Sequence, residues 1–330
     1  MNKVILLDRR PVGVPTSSDF KFIEEEIPGP AEGEILLKTL YVSVDPYLRG
    51  KMRDVKSYTP PFELNKPLQS ALITEVIASK HNEFKVGDFY LGYLDWKEYQ
   101  ISSGEGLIRV DGDVAPLSAY LGILGMTGLT AYLGLKNIGN PKAGETLIIS
   151  GAAGAVGSVV GQIGKLLGCN VVGLAGSEEK VNALTSIFHF DHAINYKNAD
   201  LATTIQNVCP DGVDIYFDNV GGSVSDAVLA NLRYKSRIIV CGSISSYNET
   251  EPSFAPRIEW RLIVNSASMC GFIVGDYRDQ FPEGMEQLKT WYQEGKLINR
   301  ETVIEGFDQI PQAFIDLFEG KNEGKMIVKI

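Results

Sequence analysis

The chemistry legible in this chain starts from one run, Thr146-Leu-Ile-Ile-Ser-Gly-Ala-Ala-Gly-Ala-Val-Gly-Ser-Val-Val-Gly161. A short apolar stretch runs into Gly151, Gly154 and Gly157, then into a segment of helical character ending near Leu167. Glycines at this spacing make a tight turn, let backbone N–H groups approach a pyrophosphate, and pack helix on strand. Gly151, Gly154, Ala155, Val156 and Gly157 are therefore the expected phosphate cradle. A second apolar stretch at 170–175 supplies the context that separates a dinucleotide site from an ordinary glycine-rich turn. At its tip an NAD site carries an acid that holds the ribose 2′-hydroxyl. Here the chain reads Leu174-Ala-Gly-Ser-Glu-Glu-Lys180, uncharged at the tip, with the Ser177 hydroxyl and, one turn on, the Lys180 ammonium. Glu178 and Glu179 suit the first turn of a helix through its dipole. Lys180 also reads as a solvated helix lysine, but the missing acid favours NADPH over NADH.

The elements that must position this loop follow from periodicity. From Lys3 to about Ser118 short alternating runs such as Glu34–Ser43 and Gln69–Ala78 are separated by Pro and Gly turns, which predicts a β-rich region. From Pro116 through Tyr132 the pattern turns helical. Strands are then expected near 146–150, 170–175, 193–196, 213–218, 237–242 and 267–273. Helices are expected over Lys180–Phe188, Leu201–Val208 and Ser223–Leu232. That alternation predicts an α/β fold with a doubly wound parallel sheet. A helix at Gly284–Glu294, a strand at Glu301–Gly306, a helix at Gln309–Glu319 and a last strand at Lys325–Ile330 complete the chain. The final strands can rejoin the N-terminal β region, which makes that region discontinuous. The Asn248–Pro256 stretch reads as an exposed loop.

Composition bounds the partners. The chain has 330 residues, enough for about two domains, and 44% hydrophobic residues, enough for ample cores. A net charge of -10 and a pI near 5.0 argue against nucleic acid, which needs a basic face. No apolar run has the length of a membrane span, and the start, Met1–Asp8, is too soon interrupted by charge for a secretory signal. The four cysteines, Cys169, Cys209, Cys241 and Cys270, show no paired spacing and are expected to be buried free thiols of a cytoplasmic protein.

Several motifs together carry a family likeness. They are Val44-Asp-Pro-Tyr-Leu-Arg-Gly50, Leu124-Gly-Met-Thr-Gly-Leu-Thr-Ala-Tyr132, Pro141-Lys-Ala-Gly-Glu145, the glycine run, Phe217-Asp-Asn-Val-Gly-Gly222, Cys241-Gly-Ser-Ile-Ser-Ser-Tyr-Asn248 and Gly320-Lys-Asn-Glu-Gly-Lys325. On these the chain resembles the medium-chain dehydrogenase/reductase superfamily over nearly its whole length. Within it, the chain is similar to the zinc-free leukotriene B4 dehydrogenase/prostaglandin reductase group, with its plant alkenal and bacterial curcumin double-bond reductases. The resemblance implies a β-rich GroES-like catalytic domain over 1–118 and 300–330, and a Rossmann NADPH-binding domain over 119–299. It also implies a homodimer, formed through the edge of the nucleotide sheet, with an Arg261–Phe272 strand as the candidate edge.

Zinc is not expected. The superfamily's alcohol dehydrogenases hold it with cysteine, histidine and glutamate, whereas this chain has no cysteine before Cys169 and three histidines, His81, His189 and His192. Without a metal, an α,β-unsaturated ketone or aldehyde is a fitting hydride acceptor. Hydride adds at the β-carbon, and the charge that develops on the carbonyl oxygen needs one preorganised donor. Such a donor lowers a barrier by about 3 kcal/mol, and a tyrosine hydroxyl stays protonated at neutral pH. Tyr58 and Tyr247 match positions where the family carries substrate-contacting tyrosines, and which of them donates stays open. Family position likewise implies cofactor contacts at Thr127, Ser177, Lys180, Tyr196, Asn219, Cys241 and Asn322, with Tyr47 and Arg49 lining the substrate cleft. Arg49 equally suits a structural ion pair, and Asn322 suits turn chemistry. A quinone oxidoreductase of the same superfamily and a non-catalytic NADPH-binding protein are the competing readings.

Overall fold

The computed structural model describes residues 1–198 and 200–330. The chain divides into two compact units, one of residues 1–121 with 301–330 and one of residues 122–300.

The first unit opens with an antiparallel ribbon of β1 (Asn2–Leu7) and β2 (Phe20–Glu25). Its larger sheet is built from β3 (Ile35–Ser43), β4 (Gln69–Ser79), β5 (Phe89–Asp95), β6 (Tyr99–Ser102) and β7 (Ile108–Val110), all antiparallel to their neighbours. A single helical turn, α1 (Leu48–Lys51), follows β3. Its Leu48 joins Trp96, Phe20, Ile5 and Leu7 in the core of this unit.

The second unit begins with α2 (Met126–Gly134). The sequence pattern predicts one helix from Pro116 to Tyr132, but a tight 3-10 turn at Leu117–Leu121 stands apart from α2. Gly122 and Gly125 break the run, the Gly122 carbonyl accepting from both Gly125 and Gly128. Then come β8 (Thr146–Ser150), α3 (Gly157–Leu166), β9 (Asn170–Ala175), α4 (Glu178–Ser186), β10 (His192–Asn195), α5 (Leu201–Val208), β11 (Val213–Asp218), α6 (Gly222–Leu229), β12 (Leu232–Val240), α7 (Glu259–Asn265), β13 (Ser268–Gly271) and α8 (Phe281–Gln293). The sheet order is β10-β9-β8-β11-β12-β13, every pairing parallel. β8 and β11 are buried almost end to end, which is why they read as unbroken apolar runs. The chain order reverses between β8 and β11, the place where open α/β sheets bind ligands.

Two expectations in this unit need correction. The Arg261–Phe272 strand is a helix through Asn265 and a strand only over Ser268–Gly271. Ile258 and Leu262, four residues apart, pack on the sheet's core, and the left-handed Ser266 (φ 47°) ends the helix before the strand starts. β12 starts at Leu232 instead of 237, because the left-handed Lys235 (φ 65°) bulges a strand whose pairing with β11 shifts register.

The chain returns to the first unit with β14 (Glu301–Glu305), α9 (Ile310–Phe318) and β15 (Lys325–Lys329). β15 lies between β14 and β3, parallel to the first and antiparallel to the second. The doubly wound parallel sheet and the separate β-rich unit are the architecture the sequence pattern predicts. No described helix is long and apolar enough to cross a membrane.

Candidate active site

In the second unit the site is assembled from the carboxyl ends of β8, β9, β11 and β12. Gly151 leaves β8 with φ 60°, a conformation that costs a glycine little. The Gly154 N–H donates to the Gly151 carbonyl at 3.0 Å, closing the turn. A Cβ on Gly157 would lie 2.4 Å from the Gly151 oxygen and 2.8 Å from the Ala152 Cα, so the start of α3 sits hard against the turn. The result is a helix N-terminus behind a glycine loop, with Ala155 and Val156 between, which suits a pyrophosphate.

The tip of β9 forms the second corner. Ser177 caps α4, its hydroxyl accepting from the Lys180 N–H at 3.3 Å. A Cβ on Gly176 would meet the Tyr196 hydroxyl at 2.6 Å and the Lys197 Cε at 3.3 Å. Tyr196 and Lys197 reach this place because β10 pairs with β9 in the register Asn195 with Ala175. The motifs named Tyr196 and passed over Lys197, whose position comes from strand pairing. Glu178 accepts from Asn195 at 2.6 Å and Asn198 at 3.1 Å, which ties its carboxylate to the end of β10. Burial holds the Tyr196 hydroxyl above its ordinary pKa.

At the switch point one carboxylate oxygen organises the backbone. Asp218 Oδ1 accepts from Ser150 Oγ at 2.7 Å, Tyr216 Oη at 2.8 Å, and the N–H groups of Val220 and Gly221 at 3.0 and 2.9 Å. Ser150 in turn anchors Asn219, accepting its N–H at 2.9 Å on Oγ and its side-chain amide at 2.8 Å on the carbonyl. The Asp218 carbonyl accepts the N–H groups of Cys241 and Gly242, which stitches the β12 loop alongside. Tyr247 follows on a tight turn and its Oη accepts the Ser243 N–H at 3.3 Å. Burial raises the Tyr247 hydroxyl, and burial followed by the charge of Asp218 pushes the Cys241 thiol up to about 12. A thiol held protonated in this way is poorly suited to act as a nucleophile. Thr127 donates to the Gly122 carbonyl at 2.9 Å.

The cysteine expectation is corrected in part. Cys169 and Cys209 are buried, but Cys241 is half-buried and Cys270 is exposed, because β13 is the last strand of the sheet. Among the described residues no group of three or more His, Cys, Asp or Glu side chains could hold a metal ion.

The first unit carries the other candidates. Tyr58 is 61% exposed on the loop after α1. Tyr47 is half-buried; burial first, then Asp45 and Tyr93, holds its hydroxyl well above the usual phenol range. Arg49 reads from the sequence as lining the cleft or as a structural partner, and here it bonds to backbone. Its guanidinium is buried and donates to the carbonyls of Pro11 and Gly13 at 3.1 and 2.9 Å, so it clamps the N-terminal loop. Burial lowers it to about 10. The Asn322 amide donates to the Gly324 carbonyl at 2.9 Å within its own turn.

A glycine-lined turn at the switch point of a six-stranded parallel sheet defines a dinucleotide-binding α/β protein. Residues 3–110 match the model of an oxidoreductase N-terminal domain and residues 155–290 that of a zinc-binding dehydrogenase. The Bacillus subtilis protein YfmJ is 55% identical over 99% of this chain and 97% of its own length. The Escherichia coli NADPH-dependent curcumin reductase is 41% identical over 100% of this chain and 97% of its own. A crystal structure of CurA in complex with NADPH from Vibrio vulnificus superposes with a TM-score of 0.94 at 45% identity, covering 99% of this chain and 98% of that one. The chain belongs to the medium-chain dehydrogenase/reductase superfamily, in its group of curcumin, alkenal and prostaglandin reductases.

Proposed function

We propose that this protein is an NADPH-dependent reductase of the carbon–carbon double bond of α,β-unsaturated ketones and aldehydes. The observation that carries the cofactor choice is the tip of β9, where a serine cap, a tyrosine hydroxyl and a lysine stand in place of an acid. A carboxylate there would repel a 2′-phosphate, whereas this corner offers it donors. The activities of the curcumin and alkenal reductases, both near 40% identical over the whole chain, support the acceptor class.

Bound NADPH supplies a hydride, and the residues of the chain do the rest. Gly151, Gly154, Ala155, Val156 and Gly157 offer N–H groups and a helix dipole to the pyrophosphate. Ser177, Lys180 and Tyr196 are the proposed 2′-phosphate contacts, with Lys197 added by its position. Asn219, fixed by Ser150, is suited to a ribose hydroxyl, and Thr127, Cys241 and Asn322 complete the proposed cofactor set. Tyr58 and Tyr247 are the proposed donors to the carbonyl oxygen, where charge develops as hydride reaches the β-carbon. A donor of this type is worth about 3 kcal/mol, roughly a hundredfold in rate. The protein is further proposed to be a cytoplasmic homodimer that works without zinc.

The test is NADPH oxidation with 1-nonen-3-one and 4-hydroxynonenal beside a para-quinone, on protein whose metal content has been measured. Turnover of the enone and enal by zinc-free protein is the expected result. Faster turnover of the quinone would move the protein to quinone reduction. Tight NADPH binding with no turnover of any acceptor would remove the enzyme reading altogether.

A further inference from the structure

The first unit holds a polar array beside the proposed donor Tyr58, in which Lys51 and Tyr93 have no part in the reaction so far described. Lys51 ends α1, and its side chain is buried, with the residue 8% exposed. Its Nζ donates to Tyr93 Oη at 2.8 Å and stands 4.4 Å from the ring centre of Phe62 and 4.9 Å from that of Tyr93. Tyr93 comes from β5 and is 47% exposed. Tyr47 and Tyr58 are both close enough to Tyr93 to act electrostatically on it. Three phenols and one ammonium thus share a neighbourhood.

A structural role accounts poorly for this lysine. Burying an ammonium costs hydration that an apolar side chain of similar volume would not forfeit. The acid whose charge acts on Tyr47 and Tyr93, Asp45, is engaged by Lys325 Nζ at 3.1 Å and by the Ser43 hydroxyl. Among the described residues no carboxylate pairs with Lys51, so its charge is met by neutral groups, the Tyr93 oxygen and the rings of Phe62 and Tyr93. With Lys51 donating to that oxygen, the phenol's own proton is left for whatever meets the exposed side of the ring. Donation into a phenol oxygen strengthens the phenol as a donor in turn. Burial pushes the Tyr93 hydroxyl up to about 12, which keeps it protonated at neutral pH.

We propose that Tyr93 is a catalytic hydrogen-bond donor to the substrate carbonyl oxygen and that Lys51 is its positioning residue, an inference that rests on the enone-reductase reading. Hydride with its electron pair forms the new bond at the β-carbon, the alkene pair moves between the α-carbon and the carbonyl carbon, and the carbonyl pair moves onto oxygen. Tyr93 donates a hydrogen bond to that oxygen and keeps its proton. The α-carbon then takes a proton from water, and NADP+ and the saturated carbonyl leave.

The experiment compares wild type with Tyr93→Phe, Lys51→Met and Lys51→Arg in the full chain, using NADPH and 1-nonen-3-one across pH. Tyr93→Phe should lower kcat roughly a hundredfold with KM for NADPH unchanged. The groups facing the array are Tyr47, Tyr58, Tyr93 and the Asp45–Lys325 pair. Burial lowers Lys51 and, in its own ion pair, Lys325 from their ordinary value and raises Tyr47 and Tyr93, so of Lys51, Tyr47 and Tyr93 it is Lys51 that loses its proton first as pH rises. Wild-type kcat should therefore fall at alkaline pH. Lys51→Met should lower neutral kcat roughly tenfold and abolish that limb, while Lys51→Arg should restore kcat and move the limb upward. Variants that bind NADPH normally yet keep kcat within threefold of wild type would overturn the proposal, as would an alkaline limb that survives in Lys51→Met. Wild type that leaves the enone unreduced is a different failure, because it removes the enone reading itself and this inference with it.

Discussion

Lys180 on α4 and Lys197 after β10 belong to the two elements that flank the tip of β9. A charge-assisted contact to a phosphate is worth about 1.5–3 kcal/mol, so Lys180→Ala should raise KM for NADPH roughly ten- to hundredfold and leave NADH kinetics nearly unchanged. Lys197→Ala should act in the same direction and less strongly, since its ammonium is exposed and screened. Steady-state kinetics with both cofactors decides it, and unaltered NADPH kinetics in both variants would mean that the 2′-phosphate is read elsewhere. At this scale the sequence was legible wherever a motif fixes a residue against the backbone that follows it. The missing acid at the tip of β9 and the Ser177 hydroxyl beside it are of that kind. Lys197 was not legible, because its place beside Gly176 is made by the pairing of β10 with β9. Lys51 and Tyr93 are 42 residues apart, and no local pattern relates them. Arg49 stayed open between two readings because a motif names a side chain without saying which way it turns.

Among the elements, the β8–α3 junction has little tolerance. A methyl on Gly157 would press on the Gly151 carbonyl and the Ala152 Cα, both backbone, so nothing nearby can rotate away. Overpacking of this kind costs about 1–3 kcal/mol. Gly157→Ala should therefore melt several degrees lower and gain less from added NADPH than wild type does, as measured by thermal denaturation. Gly154→Ala meets only the Gly151 oxygen, at 3.2 Å, and should cost less. Equal melting temperatures for Gly157→Ala and wild type would show that the junction relaxes freely. The strands of the parallel sheet were legible because burial on both faces writes an unbroken apolar run. The same rule misled at α7, where Leu262-Ile-Val-Asn265 reads as a strand. Only Leu262 of that apolar run packs on the core, whereas Ile263 and Val264 are 70% and 49% exposed.

That misread helix matters for the molecule as a whole. β13 is the last strand of its sheet, hydrogen-bonded to β12 on one side. An uncovered edge invites another chain, and proteins that stay monomeric usually blunt theirs with charge or proline. β13 reads Ser-Met-Cys-Gly, with neither. Beside it in sequence, α7 exposes Trp260, Ile263 and Val264, and Met269 and Ile273 are also exposed. Exposed apolar side chains gathered along one short segment mark an interaction surface more than a solvated one. A second copy of the chain is the proposed occupant, since the edge of one parallel sheet can continue into its symmetric copy about a twofold axis. The net charge of -10 opposes close approach of two copies, so the apolar segment has to supply the attraction. Sedimentation should accordingly give twice the 36.1 kDa of the chain, with little dependence on salt. Ile263→Glu together with Met269→Lys should yield monomers that still bind NADPH, because neither residue belongs to the proposed cofactor set. Wild type sedimenting as a monomer at micromolar concentration, or a double variant that stays dimeric, would remove β13 and α7 as the contact.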